Sequence, residues 1–138
     1  MIGLIAVLVL LPGCGDGRPK RVPVSGTVLI DGKPLTSGFI TFHTGGGRPA
    51  SGHIDKQGRF TLTCFDKDDG VMLGTHPISV EATETLDANH MRWLIPQKYN
   101  SPKTSGLEVE IKGPTNSLTI KLTWGNDKPF VQTLKSGS

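Results

Sequence analysis

Val22-Pro-Val-Ser-Gly-Thr-Val-Leu-Ile30, then Asp31-Gly-Lys-Pro-Leu35, then Gly38-Phe-Ile-Thr-Phe-His-Thr44 decide the fold class. The first run is β-branched and nearly unbroken, a composition that fits a pleated, half-buried surface. Pro23 cannot donate to a ladder, which places the start of this strand at a sheet edge. Asp31-Gly32 is the strongest short hairpin signal. In the third run Ile40 and Phe42 alternate with Phe39, Thr41 and His43, so one face is apolar and the other is mixed.

The same period of two continues outward. Ala50 to Ile54 is a short strand and Arg59 to Phe65 alternates, with Asp55-Lys-Gln-Gly58 as the tight connection between them. Asp66-Lys-Asp-Asp-Gly70 is a polar turn. Val71 to Ala82 holds the next strand, clearest at Ile78-Ser-Val80-Glu-Ala82, and Pro77 inside it marks an edge or a bulge. Leu107 to Ile111 and Leu118 to Trp124 alternate cleanly. Gly contributes 18 and Pro 10 of 138 residues, which favours many short strands over long helices. Seven strands with turn signals every 8–12 residues over the first half predict an all-β chain folded as a seven-stranded antiparallel β-sandwich.

Two parts lie outside this rhythm. Thr83 to Ser105 is long, carries Met91, Arg92, Trp93, Leu94, Ile95 and Tyr99, and reads as a crossover, with one helical turn expected within 87–94. Its aromatics either plug the end of the core or form a ligand or partner surface. In the second case Arg92, Trp93 and Tyr99 are the candidate ligand-binding residues. Residues 125–138 are either a last edge strand through Pro129-Phe-Val-Gln-Thr133 or a loose tail.

The N-terminus speaks to location. Ile2 to Leu11 is uncharged and apolar and runs into Leu11-Pro12-Gly13-Cys14. A helix of ten residues is about 15 Å long, half of a bilayer core, so the run is too short to span and suits a secretory signal. Its end resembles the lipobox of bacterial lipoprotein signal peptides. That resemblance implies a signal peptide over 1–13, cleavage before Cys14 and a lipidated Cys14. Gly15 to Arg21 has no large apolar side chain, so 14–21 reads as a lipidated cysteine with a flexible tether. The expected site is the cell envelope, membrane-anchored through the N-terminal lipid and facing the periplasm or the exterior.

Chemistry is sparse. The net charge is only +3 and aromatics make 6 % of the chain, so the basic stripe and aromatic platforms of a nucleic-acid binder are missing. His43, His53, His76 and His90 form no short ligand pair, although His43 and His53 could meet across a hairpin; no metal and no cofactor is expected. In Asp66-Lys-Asp68-Asp69-Gly70 the carboxylates fall at the wrong places for a calcium loop. Cys64 shares a face with Phe60 and Leu62 and reads as a small buried hydrophobe. No serine elbow is present, and no catalytic residue is assigned.

Several motifs together carry a family likeness. Val24-Ser-Gly26-Thr-Val28, Asp31-Gly32-Lys33-Pro34-Leu35 and Gly38-Phe-Ile40-Thr-Phe42 resemble the opening hairpin of carboxypeptidase-regulatory-like domains. Asp55-Lys-Gln-Gly58-Arg-Phe60-Thr-Leu62 resembles their next strand pair, and Asp69-Gly70 with Gly74-Thr-His-Pro-Ile78-Ser-Val80 the strand after it. Ile95-Pro96-Gln-Lys-Tyr99-Asn100 with Thr104-Ser105-Gly106-Leu107 is similar to a motif of small bacterial lipoproteins of this type. The likeness spans residues 22–124. It implies a transthyretin/prealbumin-like sandwich and an accessory or interaction module without chemistry of its own. Likeness of fold does not give function. The expectation is therefore a non-enzymatic, lipid-anchored envelope protein with an unidentified protein or glycan partner. The alternatives are a carbohydrate- or peptide-binding module using the 84–105 loop, and a hydrolase with an undetected site.

Overall fold

The computed structural model describes residues 20–45 and 47–134. Cys14, the apolar run before it and most of the expected tether lie outside the described residues. The strands are β1 Arg21–Val22, β2 Val24–Ile30, β3 Lys33–Pro34, β4 Phe39–Phe42, β5 Ala50–His53, β6 Arg59–Thr61, β7 Val71–Met72, β8 Gly74–Glu81, β9 Thr83–Thr85, β10 His90–Trp93, β11 Glu108–Ile111, β12 Thr115–Leu122 and β13 Val131–Thr133. All seven expected strand regions are present. The helical turn is found at Gln97–Asn100 and not within 87–94. There, Asp87 Oδ1 accepts the backbone N–H of Asn89 and meets His90 Nδ1, closing the loop of a β9–β10 hairpin.

One layer runs β11-β8-β4-β5, and the other is β12-β2 with β3 and β6 sharing the far edge of β2. A bridge between Ser51 and Thr63 joins β5 to the chain leaving β6, so the two layers meet along one side. Every pairing is antiparallel except β2–β12, which runs parallel from Thr115↔Val24 to Leu122↔Ile30. Alternation assigns faces, whereas strand direction depends on which partner arrives, so the pattern alone could not distinguish this pair. Pro77 lies mid-strand, one residue beyond the last β4–β8 pair, and its carbonyl accepts from His43 N–H at 2.8 Å. Its missing donor therefore faces the end of β4, where the ladder runs out.

Inward residues of both layers form one core. Val24 and Val28 of β2, Ile40 and Phe42 of β4, Phe60 of β6, Ile78 and Val80 of β8, and Ile120 and Leu122 of β12 are buried together. Each such side chain contributes about 1.5–3 kcal/mol on leaving water. Cys64 is buried beside Leu62, as its alternation predicted; burial, with Asp69 nearby, pushes its thiol pKa up.

The 64–70 turn is built around one carboxylate. Asp69 Oδ1 accepts the N–H of Cys64 at 2.6 Å, and Oδ2 accepts those of Phe65 and Asp66 at 3.0 Å each. Arg21 Nε lies 2.7 Å from Oδ2 and its guanidinium also covers the Phe65 ring, 5.0 Å from the centroid. Burial raises the Asp69 pKa, but the three N–H donors and Arg21 outweigh it and leave the group below the ordinary carboxylate range. Arg21, counted with the tether from sequence, thus belongs to the domain. At Gly70 the backbone has φ +96° and a Cβ would sit 1.7 Å from the Val22 carbonyl oxygen, so β1 can close on this turn only over a glycine.

Candidate functional site

The outer face of the β4–β5–β6 side is where exposed chemistry collects. Because β4 pairs with β5 and β8 in register, its outward residues stand in rows: His53, Phe39 and Glu81 in one, Ser51, Thr41 and Ser79 in the next. The Ser51–Thr63 bridge extends the second row to a fourth residue, so Thr63, Ser51, Thr41 and Ser79 line up across neighbouring strands. Phe39 is 47 % exposed, and its ring centroid lies 4.3 Å from that of His53 with the planes tilted by 50°. This pair forms a shelf at the rim of an open concavity of about 630 Å³, which Asp55, Arg59, Thr61, Lys67 and Asp68 also line.

The polar groups here fall into two kinds. Asp55 Oδ1 accepts the N–H groups of Gln57 and Arg59 at 2.9 Å each and holds the β5–β6 turn. The Thr63 hydroxyl accepts the Asp68 N–H at 2.9 Å. These serve the scaffold. Arg59 and Lys67 are exposed and form no ion pair among the described residues, so both cations face solvent over the concavity.

The residues singled out in the 84–105 segment are placed otherwise. Trp93 is 7 % and Tyr99 4 % exposed, so neither offers a ring to a ligand. Trp93 stacks on Phe130, with centroids 6.0 Å apart, and donates Nε1–H to Gln132 Oε1 at 2.8 Å. The Tyr99 hydroxyl accepts the Thr123 N–H at 3.0 Å and donates to the Thr123 carbonyl at 3.2 Å, tying the helical turn to the end of β12. Arg92 is exposed on the opposite face of β10 from Trp93 and meets Glu84 at 3.3 Å. The structure therefore does not bring the three together. The burial of Trp93 follows from hairpin alternation, which turns Met91 and Trp93 one way and His90 and Arg92 the other; Tyr99 is the buried residue of the helical turn Gln97–Asn100 and joins the core from there.

His43 Nε2 lies 2.7 Å from Ser79 Oγ. Ser79 is buried, and no carboxylate hydrogen-bonds to His43 among the described residues, so the pair is a diagonal cross-strand contact between β4 and β8. His43 and His53 lie at opposite ends of the β4–β5 ladder and do not meet. Among the described residues no three His, Cys, Asp or Glu side chains converge on a point where a cation could sit. The outward position of Phe39 was legible in its alternation; its neighbours Arg59 and Lys67 were not, because they come from a turn and a strand brought alongside by tertiary pairing. No family model, curated protein or solved structure matches the chain.

Proposed function

We propose that this chain is a non-enzymatic, lipid-anchored cell-envelope protein whose single sandwich grips an acidic glycan across the outer face of β4, β5 and β6. The observation that carries the reading is the exposed Phe39–His53 shelf set beside Arg59 and Lys67, which form no ion pair among the described residues, in a concavity that Asp55 and Asp68 also line. An apolar ring takes the faces of sugar rings, and a guanidinium takes a carboxylate in a two-pronged grip. Hydroxyl groups of Ser51 and Thr61 line the floor between them. The concavity is open to water along its length, a form that suits laying a polymer across it rather than isolating a reacting bond. The resemblance of the strand motifs to accessory domains supports the same reading, and the Cys14 lipid would hold the domain at the membrane surface.

Titration calorimetry with an oligo-uronate and a neutral oligosaccharide of equal length tests the glycan. The charged ligand binds more tightly, Phe39→Ala weakens both, and Arg59→Ala removes the preference for charge. Equal affinity for the two ligands, or full binding by Phe39→Ala, would discard this face as the site. Cys14→Ser tests the anchor: the variant moves to the soluble fraction, and retention in membranes would refute lipidation there.

A further inference from the structure

We infer that β13 is a docking edge for a second copy of this chain, and that two copies join their three-stranded β13-β10-β9 sheets into one six-stranded sheet. β13 is an outer strand of its sheet. The Phe130 carbonyl accepts from Trp93 and the Leu134 N–H donates to Asn89, so even-numbered residues turn their backbone groups toward β10. The backbone groups of Val131 and Thr133 therefore point outward, away from the sheet.

Outer strands normally defend such groups with charge or proline. Here β9 carries Glu84, β11 Glu108 and Glu110, β12 Lys121, and β3 Lys33 with Pro34. β5 carries no Asp, Glu, Lys, Arg or Pro but is bridged to the chain after β6 through Ser51 and Thr63. Residues 130–134, after Pro129, carry neither charge nor proline, while Phe130, Val131 and Leu134 are 41 %, 48 % and 40 % exposed. The occupant follows from self-complementarity. In an antiparallel pairing centred on Gln132, Val131 faces Thr133 of the other copy, and these are the residues whose backbone groups are outward. The two copies then exchange four ladder hydrogen bonds. Phe130 falls opposite Leu134 of the other copy in the closer, non-hydrogen-bonded type of pair, twice by symmetry. One register thus satisfies the free backbone groups and covers the exposed apolar side chains together. The proposal is independent of the glycan reading, since β13 shares no residue with the Phe39 shelf.

The test is sedimentation equilibrium of the full chain in mild detergent across a concentration series. The parent chain forms a dimer. Val131→Lys, which sets a second cation beside Arg92 in each copy and puts a charge on the pairing edge, weakens association about a hundredfold or more. Val131→Thr, an uncharged β-former, keeps the dimer. Circular dichroism and the tryptophan fluorescence of each variant, from Trp93 and Trp124, confirm that the chain is folded. A parent chain that stays monomeric to about 100 µM, as it would if another protein's strand were the occupant, overturns the proposal. So does a Val131→Lys chain that is folded and still dimeric.

Discussion

Replacing Asp69 with Ala tests whether one carboxylate organises the 64–70 turn. The change removes the acceptor of three backbone N–H groups and the counter-charge of Arg21. A hydrogen bond to a charged group is worth about 1.5–3 kcal/mol, and breaking a fully buried pair costs about 3–5 kcal/mol, an upper bound for this pair, whose side chains are 12 % and 13 % exposed. All these contacts share one side chain, so they do not add, and the expected loss is up to about 3–5 kcal/mol at neutral pH. That is a large part of the 5–15 kcal/mol typical of a domain. Asp69→Asn keeps one acceptor oxygen and loses about half as much. Urea unfolding followed by tryptophan fluorescence measures both. The sign with pH follows from the lowered pKa of Asp69. Its stabilisation is fully present above the ordinary carboxylate value of about 4 and disappears as pH falls through the lower folded value. The gap between parent and Asp69→Ala therefore narrows on acidification. A gap under about 1 kcal/mol at pH 7, or one unchanged at pH 2.5, would refute the reasoning.

Other positions give sharp expectations. Gly70→Ala costs more than about 3 kcal/mol, because its Cβ meets the Val22 carbonyl; Gly32→Ala, also at positive φ (+81°) but with nothing within 4 Å, costs about 1 kcal/mol, and thermal unfolding separates them. Tyr99→Phe loses both hydrogen bonds to Thr123 and about 1–2 kcal/mol, read by urea titration. Cys64, buried and with its pKa raised, stays unreactive toward a thiol reagent at pH 8 until denaturant is added; rapid labelling of the folded chain would contradict its place in the core.

Much of the sandwich can be read from residue order. Ile40 and Phe42 against Phe39 and Thr41, or Phe60, Leu62 and Cys64 together, declare their faces by alternation alone, and the buried set agrees. What stayed hidden is partnership. Nothing local in Leu118-Thr-Ile-Lys-Leu122 says that it will lie parallel to β2, since direction depends on where the chain re-enters. The β9–β10 hairpin reads as a crossover in sequence because its strands are only three and four residues long. His90-Met-Arg-Trp93 does alternate, and Asp87 and Asn89 are turn formers, so the signal was present but short. β13 was one of two readings of the C-terminal segment, and the structure selects the edge strand. The Phe39 shelf and its concavity draw on β4, β5, β6 and the 64–70 turn, and no spacing rule connects those.

The parallel β2–β12 pair sets an order of events. β2 and β12 lie far apart along the chain, yet they are direct neighbours, as Val28 and Ile120 show. Contacts so distant along the chain demand that a long loop be closed before they give any return, which slows folding. A chain emerging N-terminus first holds β2 with one flank bare until Leu122 is out. That flank must therefore stay shielded until β12 arrives, and truncation before β12 yields a sticky strand rather than a smaller domain.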